Sequence, residues 1–335
     1  MSQQHQPSEH HTSDSHTSDS HATGQPGAGV HGTPLDRWKT YIAVGDSFTE
    51  GLWDPYPYSD GRPAPAGTAS TARQRGWADR LATTLSRRRV EAGLSPLNYA
   101  NLAIRGRKMS DIAGSQLTAA LEHGPDLVSI IGGGNDILRP GVDVESIADQ
   151  LERAVITARQ AGADVLMAAG FRASRELAFT RSATGQFNSF VWGIAQRHGA
   201  YVIDLWGMRS LADLRLWSDD RLHLTPESHQ RVTSAALVAL GLPPDDDAYD
   251  ALLPPQDPAP TLADIAKADA QWAKDHAMPW MGRRIRRASS GDLLQAKWPQ
   301  PAPWPRSAEP HLTGPDAERV DAAGACLAKS EPRPE

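Results

Sequence analysis

The sequence predicts an α/β protein built as a three-layer α/β/α sandwich, and three observations carry that prediction. Short apolar runs rich in Ile, Val, Leu and Ala recur from about residue 39 to residue 204. Longer stretches with apolar residues three and four apart lie between them, the spacing of helices that cover a sheet. The runs stop abruptly, as in Tyr41-Ile42-Ala43-Val44 before Gly45-Asp46-Ser47, which is how a buried parallel strand delivers a loop to its C-terminal edge. Strands alternating with helices make a parallel sheet with right-handed crossovers.

Taken in order, strand 1 is expected over residues 39–45, and Gly45 lets the chain turn at its end. Residues 54–74 carry Pro, Gly, Ser and Thr and read as a long loop, which should lie at the rim of any site built around Ser47. Trp77, Leu81 and Leu85 form one stripe of a helix from Trp77 to about Ala92, with Gly93 as its stop. Strand 2 follows over 97–102, a helix over 110–122, strand 3 over 126–132 and a helix over 144–161. Strand 4 is expected over 164–169, a helix over 186–198 and strand 5 over 201–204. Thr225 caps a last helix with Pro226 at its first position, running to about Leu240.

Four stretches stand out along this frame. They are Gly45-Asp46-Ser47, then Asn101 to Gly106, then Gly132-Gly133-Gly134-Asn135-Asp136, then Asp219-Asp220-Arg221-Leu222-His223-Leu224-Thr225-Pro226. In this order and at these places the chain resembles the SGNH hydrolases, the GDSL-type esterases and lipases. The resemblance covers residues 40–230, somewhat more than half of the chain, and says little about either end. It implies a flavodoxin-like, five-stranded parallel sheet in the order 2-1-3-4-5. It also implies a serine hydrolase that cleaves carboxylic esters through an acyl-enzyme.

A serine hydroxyl needs a base to take its proton during attack. His223 is the candidate base for Ser47, and Asp220, three residues earlier on the same loop, is the candidate orienter of its ring. Asp219 is the rival carboxylate, but Asp220 alone matches the family's Asp-x-x-His spacing. The charge that develops on the carbonyl oxygen needs preorganised donors. By resemblance these are the backbone N–H of Ser47, the backbone N–H of Gly106 and the side-chain amide of Asn135. Asp46 and Asp136 are expected to hold their loops, and His229 to be structural. Arg105, Arg107 and Arg139 could favour an anionic substrate group. An acyltransferase on the same site and a catalytically silent binding module are the alternative readings.

Composition sets outer bounds. A chain of 335 residues allows one large domain or two small ones, and 39% hydrophobic with 22% charged residues fits a folded core. A net charge of -6 argues against a nucleic-acid protein. The single cysteine, Cys326, permits no intrachain disulfide. No basic-then-apolar leader and no run near the roughly 18 apolar residues of a membrane span is present, so a cytoplasmic location is expected. The G-x-S-x-G elbow, the phosphate-binding loop, the dinucleotide fingerprint and cysteine clusters for zinc are all missing, and no cofactor is implied.

The ends differ from the middle. Residues 1–33 are polar and repeat His-Thr-Ser-Asp-Ser at His11 and His16; such a segment is read as a disordered tail. Its histidines at 5, 10, 11, 16, 21 and 31 could bind metal weakly. Residues 34–241 form the expected hydrolase domain, and 242–260, with six prolines and Asp245-Asp246-Asp247, an expected linker. Within 261–335, a helix over 261–277 should turn Leu262, Ile265 and Trp272 inward. Arg283, Arg284, Arg286 and Arg287 form a basic run that could touch an anionic surface, although packing on the acidic main domain is favoured. Trp298 to Pro305 reads as an exposed or draped polyproline II segment.

Overall fold

The computed structural model describes residues 34–57, 74–172, 177–278, 291 and 294–306. Five parallel strands form the frame: β1 (Thr40–Gly45), β2 (Asn98–Asn101), β3 (Leu127–Ile131), β4 (Asp164–Ala169) and β5 (Tyr201–Asp204). Both faces of these strands are covered, so they read as continuous apolar runs and not as alternating ones. Tyr41 and Ala43 of β1 pack toward one helix layer, and Ile42 and Val44 toward the other.

A one-turn helix, α1 (Ser47–Glu50), follows β1 directly, and α2 (Gly76–Glu91) leads to β2. Next comes α3, running from Met109 to Leu121 with a π-helical widening at Ile112–Gln116. The remaining helices of the frame are α4 (Val144–Gln160), α5 (Arg181–His198) and α6 (Pro226–Ala239). Helices α2 and α6 bury Trp77, Leu81, Leu85, Val232 and Leu237 on one face of the sheet. Helices α3, α4 and α5 bury Ile112, Leu151, Val155, Val191 and Ile194 on the other. The strand order is β5-β4-β3-β1-β2 with a sixth strand beyond β2. The expected 2-1-3-4-5 order therefore holds, but the sheet has six strands, not five.

The sixth strand overturns the polyproline reading of the C-terminal segment. β6 (Trp298–Pro303) pairs antiparallel with β2, opposing Asn98 with Pro303 and Tyr99 with Ala302. Its prolines fall on alternate residues, and the Trp304 N–H donates to the Leu97 carbonyl at 2.8 Å. Trp304, and by register Ala302, thus present their N–H to β2, and Pro303 between them turns its missing donor to the open side of an edge strand; the register shifts between Tyr99 and Asn101. Trp298 and Trp304 are buried against each other, and Trp304 packs on Tyr99.

Two further expectations change. Helix α7 (Leu262–Trp272) buries none of its residues; Leu262 and Ile265 are exposed, and its last turn touches the main body, where Asp269 pairs with Arg221 at 2.6 Å and the Trp272 indole donates to the Asp220 carbonyl at 2.9 Å. The Pro- and Asp-rich stretch before it is strapped down. Asp245 accepts from Arg87, Arg88 and Thr84, Asp250 accepts from the Ser210 amide, and Tyr249 and Leu253 pack on the core. The N-terminal tail, most of the 54–74 loop (58–73) and the basic run at 283–287 lie outside the described residues.

Candidate active site

Register brings three loops to one edge. Gly45 pairs with Ile131, and Ala43 with Asn101, so β1, β2 and β3 release their chains side by side. At the end of β1 the amide of Gly45 donates to Gln116 Oε1 at 2.8 Å, and Gln116 Nε2 returns a bond to the Gly45 carbonyl at 3.0 Å. Asp46 caps α1 by accepting from the Phe48 N–H, which sets Ser47 at the first helical position. Gly51 ends that turn at φ 90°, and a Cβ there would lie 2.4 Å from the Cα of Gly76. This close approach admits only glycine, and it seats α2 against α1 so that Phe48 stacks on Trp77 with ring centres 5.7 Å apart.

The loop before α6 meets Ser47 from the other side. His223 Nε2 lies 2.8 Å from Ser47 Oγ, and His223 Nδ1 lies 2.6 Å from Asp220 Oδ2. The loop is closed by the Ser218 N–H bond to the His223 carbonyl at 2.9 Å. Asp220 Oδ1 accepts from the amides of Leu222 and His223 and from the Ser218 hydroxyl. Burial alone would raise this carboxyl, but the charge and hydrogen bonds of His223, with the two amides, hold it well below the usual carboxylate range. Thr225 then accepts from the Ser228 N–H as the cap of α6, with Pro226 at the first position, and so anchors the loop. Asp219 makes no such approach to His223.

Asn135 and Gly106 come to the same edge. Asn135 sits in a one-turn helix (Gly134–Ile137), entered through Gly133 at φ 95°. Its Nδ2 donates to Asp46 Oδ2 at 3.1 Å and to the Arg107 carbonyl at 3.0 Å. Gly106 stands at φ 78° in the loop after β2. That loop is fixed by Glu50, whose carboxylate accepts from the Arg105 amide at 2.7 Å and pairs with the Arg105 guanidinium. Arg105 is therefore spent inside the fold and is not a receptor for a substrate anion; Arg139 is exposed. Asp136 holds its loop by accepting from the Met109 amide, as expected.

His229 is structural in its contacts. It is buried, accepts the Trp77 N–H at Nδ1 and stacks on Phe48. Burial pushes it down to about 4, so the ring is neutral. Two contacts were not foreseen in the sequence. The Trp53 indole donates to Asp220 Oδ2 at 2.9 Å, and Asp46 reaches Asn135 as well as its own capping amide. Nothing in the local pattern around Trp53 or Asp46 points across the fold, since the partners are 167 and 89 residues away.

Ser47 and His223 open on a cavity of about 170 Å³. Its walls are mostly apolar, with Phe48, Ile137, Phe171, Leu177, Phe187 and Trp217 among them. Among the described residues no group of three His, Cys, Asp or Glu is placed to hold a metal ion.

Over residues 43–231 the chain matches the GDSL-like Lipase/Acylhydrolase family. No curated protein sequence matches it. Among solved structures it is similar to an acetylxylan esterase from Geobacillus stearothermophilus, at 21% identity and a TM-score of 0.49, covering 61% of this chain and 94% of that one. It is also similar to the esterase EstA from Pseudoalteromonas sp., at 18% identity and a TM-score of 0.46, covering 61% and 97% of the two chains. A third is LAE5, an alpha/beta hydrolase from the metagenome of Lake Arreo, at 21% identity and a TM-score of 0.49, covering 61% and 95%.

Proposed function

The chain belongs to the GDSL-like lipase/acylhydrolase family, enzymes acting on ester bonds, and on that premise we propose that it hydrolyses carboxylic esters through an acyl-enzyme formed on Ser47. The observation that carries this reading is the relay of two short contacts, Ser47 Oγ to His223 Nε2 at 2.8 Å and His223 Nδ1 to Asp220 Oδ2 at 2.6 Å. Ser47 Oγ attacks the ester carbonyl while His223 Nε2 takes its proton. Asp220 keeps Nδ1 protonated and steadies the imidazolium. The tetrahedral oxyanion accepts from the amides of Ser47 and Gly106 and from Asn135 Nδ2, whose hydrogen turns from the Arg107 carbonyl to the substrate oxygen. His223 returns the proton to the leaving alcohol. Water, deprotonated by the same ring, then releases the acid.

Apolar cavity walls support a substrate whose acyl group is a carbon chain or aryl group, since burying such a group beside Phe171 and Trp217 is favourable at about 25 cal/mol per Å². A serine-directed phosphonate should label Ser47, and Ser47→Ala should abolish labelling. Ser47→Ala and His223→Ala should each lower turnover by roughly 10⁴–10⁶, their losses not adding because the pair acts as a unit. Asn135→Ala should cost roughly 10²–10³ with little change in ester binding. Full turnover in His223→Ala would sink the triad. Product analysis with a competing alcohol separates hydrolysis from acyl transfer, and a binding module predicts no turnover at all.

A further inference from the structure

We propose that Trp53 is a positioning residue for catalysis: its indole N–H holds the carboxylate of Asp220 at the angle from which His223 faces Ser47, a role that rests on the triad reading above. Among the described residues five donors reach this carboxylate, and four of them belong to the loop that carries Asp220: the amides of Leu222 and His223 and the Ser218 hydroxyl, all on Oδ1, and the His223 ring on Oδ2. They shape the loop but move with it. Oδ2 accepts from His223 Nδ1 at 2.6 Å and from Trp53 Nε1 at 2.9 Å. Trp53 comes from the turn that follows Ser47, so its bond ties the carboxylate directly to the nucleophile's own element.

The backbone at Trp53 stands at φ 72°, a conformation uncommon for a bulky side chain and met where the surroundings over-determine it. Both neighbours are fixed. On one side the amides of Gly51 and Leu52 donate to the Ser47 carbonyl, at 3.0 Å each, and Gly51 abuts Gly76. On the other, Asp54 donates its amide to the Gly51 carbonyl, accepts the Gly76 amide and pairs with Arg80 at 2.7 Å. The chain between them is left one short span in which to aim the indole at Asp220. Trp272 supplies a second indole to the same residue, but to its backbone carbonyl. The charged groups near the pair include His223 itself, Asp46, which caps α1 and acts on His223, and Arg221, whose guanidinium pairs with Asp269.

Trp53→Phe keeps an aromatic, though smaller, side chain and removes the donor. A carboxylate that has lost this N–H holds the imidazolium more strongly and points less well. With a p-nitrophenyl ester, kcat should fall about tenfold with KM nearly unchanged, in line with the cost of losing an outer partner of a catalytic group. The pH profile of the rate should shift as well, because the carboxylate that faces His223 has lost a donor. In the unaltered protein labelled with ¹⁵N at its indoles, the Trp53 resonance should follow the protonation of His223, and that response should vanish in Asp220→Asn. A Trp53→Phe enzyme with kcat within twofold and an unmoved profile overturns the proposal, as does a Trp53 indole that ignores His223. Those results beside an inactive Ser47→Ala would sink the role of Trp53 alone; an active Ser47→Ala would sink the triad reading and this role together.

Discussion

Asp46 sits beside the nucleophile, 7% exposed, yet it does more than cap a helix. One carboxylate oxygen takes the Phe48 amide and the other takes Asn135 Nδ2, so the same side chain orients both the serine turn and a candidate oxyanion donor. Burial pushes its carboxyl from 3.8 up to about 6, and Asp136 and Glu50 add to the rise. The folded state thus binds this proton more tightly than the unfolded chain. The stabilisation is fully present below pH 3.8 and is lost as pH climbs through about 6. A rise of about two pH units corresponds to roughly 3 kcal/mol. Asp46→Asn, which keeps a capping oxygen but does not titrate, should gain up to that much stability relative to the parent between pH 4 and pH 7, read by urea unfolding. Its turnover should fall, because Asn135 loses a charged acceptor. Parallel pH dependence in the two proteins would refute this account.

Elements from opposite ends of the chain meet beneath the site. Asp79 of α2 is fully buried and accepts from Tyr56, Tyr99, Asn101 and Trp298, and Lys297 lies 2.9 Å away. Burial pulls the Lys297 ammonium down, opposed first by the charge of Asp79. The same ammonium donates to the carbonyls of Glu50, Gln74 and Arg75, so the residue before β6 fastens α1 to the start of α2. Lys297→Met leaves Asp79 buried with neutral donors only. It should cost on the order of 3–5 kcal/mol, as removal of one partner of a buried ion pair does. Chemical denaturation checks this, and a loss below 1 kcal/mol would show that the neutral donors suffice.

At the scale of the whole molecule the family match and the core do not have the same extent. The match stops at residue 231, yet Trp298 and Trp304 belong to the core cluster of α2 and α6. A fragment ending at residue 241 would expose Tyr99 and the unpaired edge of β2 and leave Asp79 without Lys297. It should therefore lack near-ultraviolet circular dichroism and ester hydrolysis. Removal of residues 1–33, which hold few large apolar side chains, should leave both melting temperature and hydrolysis unchanged. A large loss in that second variant would assign the tail a part in the fold.

The sequence by itself determined what is local or periodic. Strand and helix positions, the cap at Thr225 and Pro226, and the spacing of Asp220 to His223 all reside in short windows where burial pattern and turn chemistry act on neighbours. By their resemblance to a known family, the four motif blocks also implied that Ser47, Gly106, Asn135 and His223 gather at one site. Only the tertiary structure decided the long-range pairings. Trp53 reaching Asp220, Asp46 reaching Asn135, and Arg105 turned inward to Glu50 depend on which loops the sheet brings together, and no residue's own window encodes its partner. β6 belongs to the same class. Alternate prolines suit both a free extended chain and an edge strand, because the two share a backbone region and differ in whether a neighbour's carbonyls are there to accept. The edge of β2 supplies them, and the burial of two tryptophans there decides for the strand.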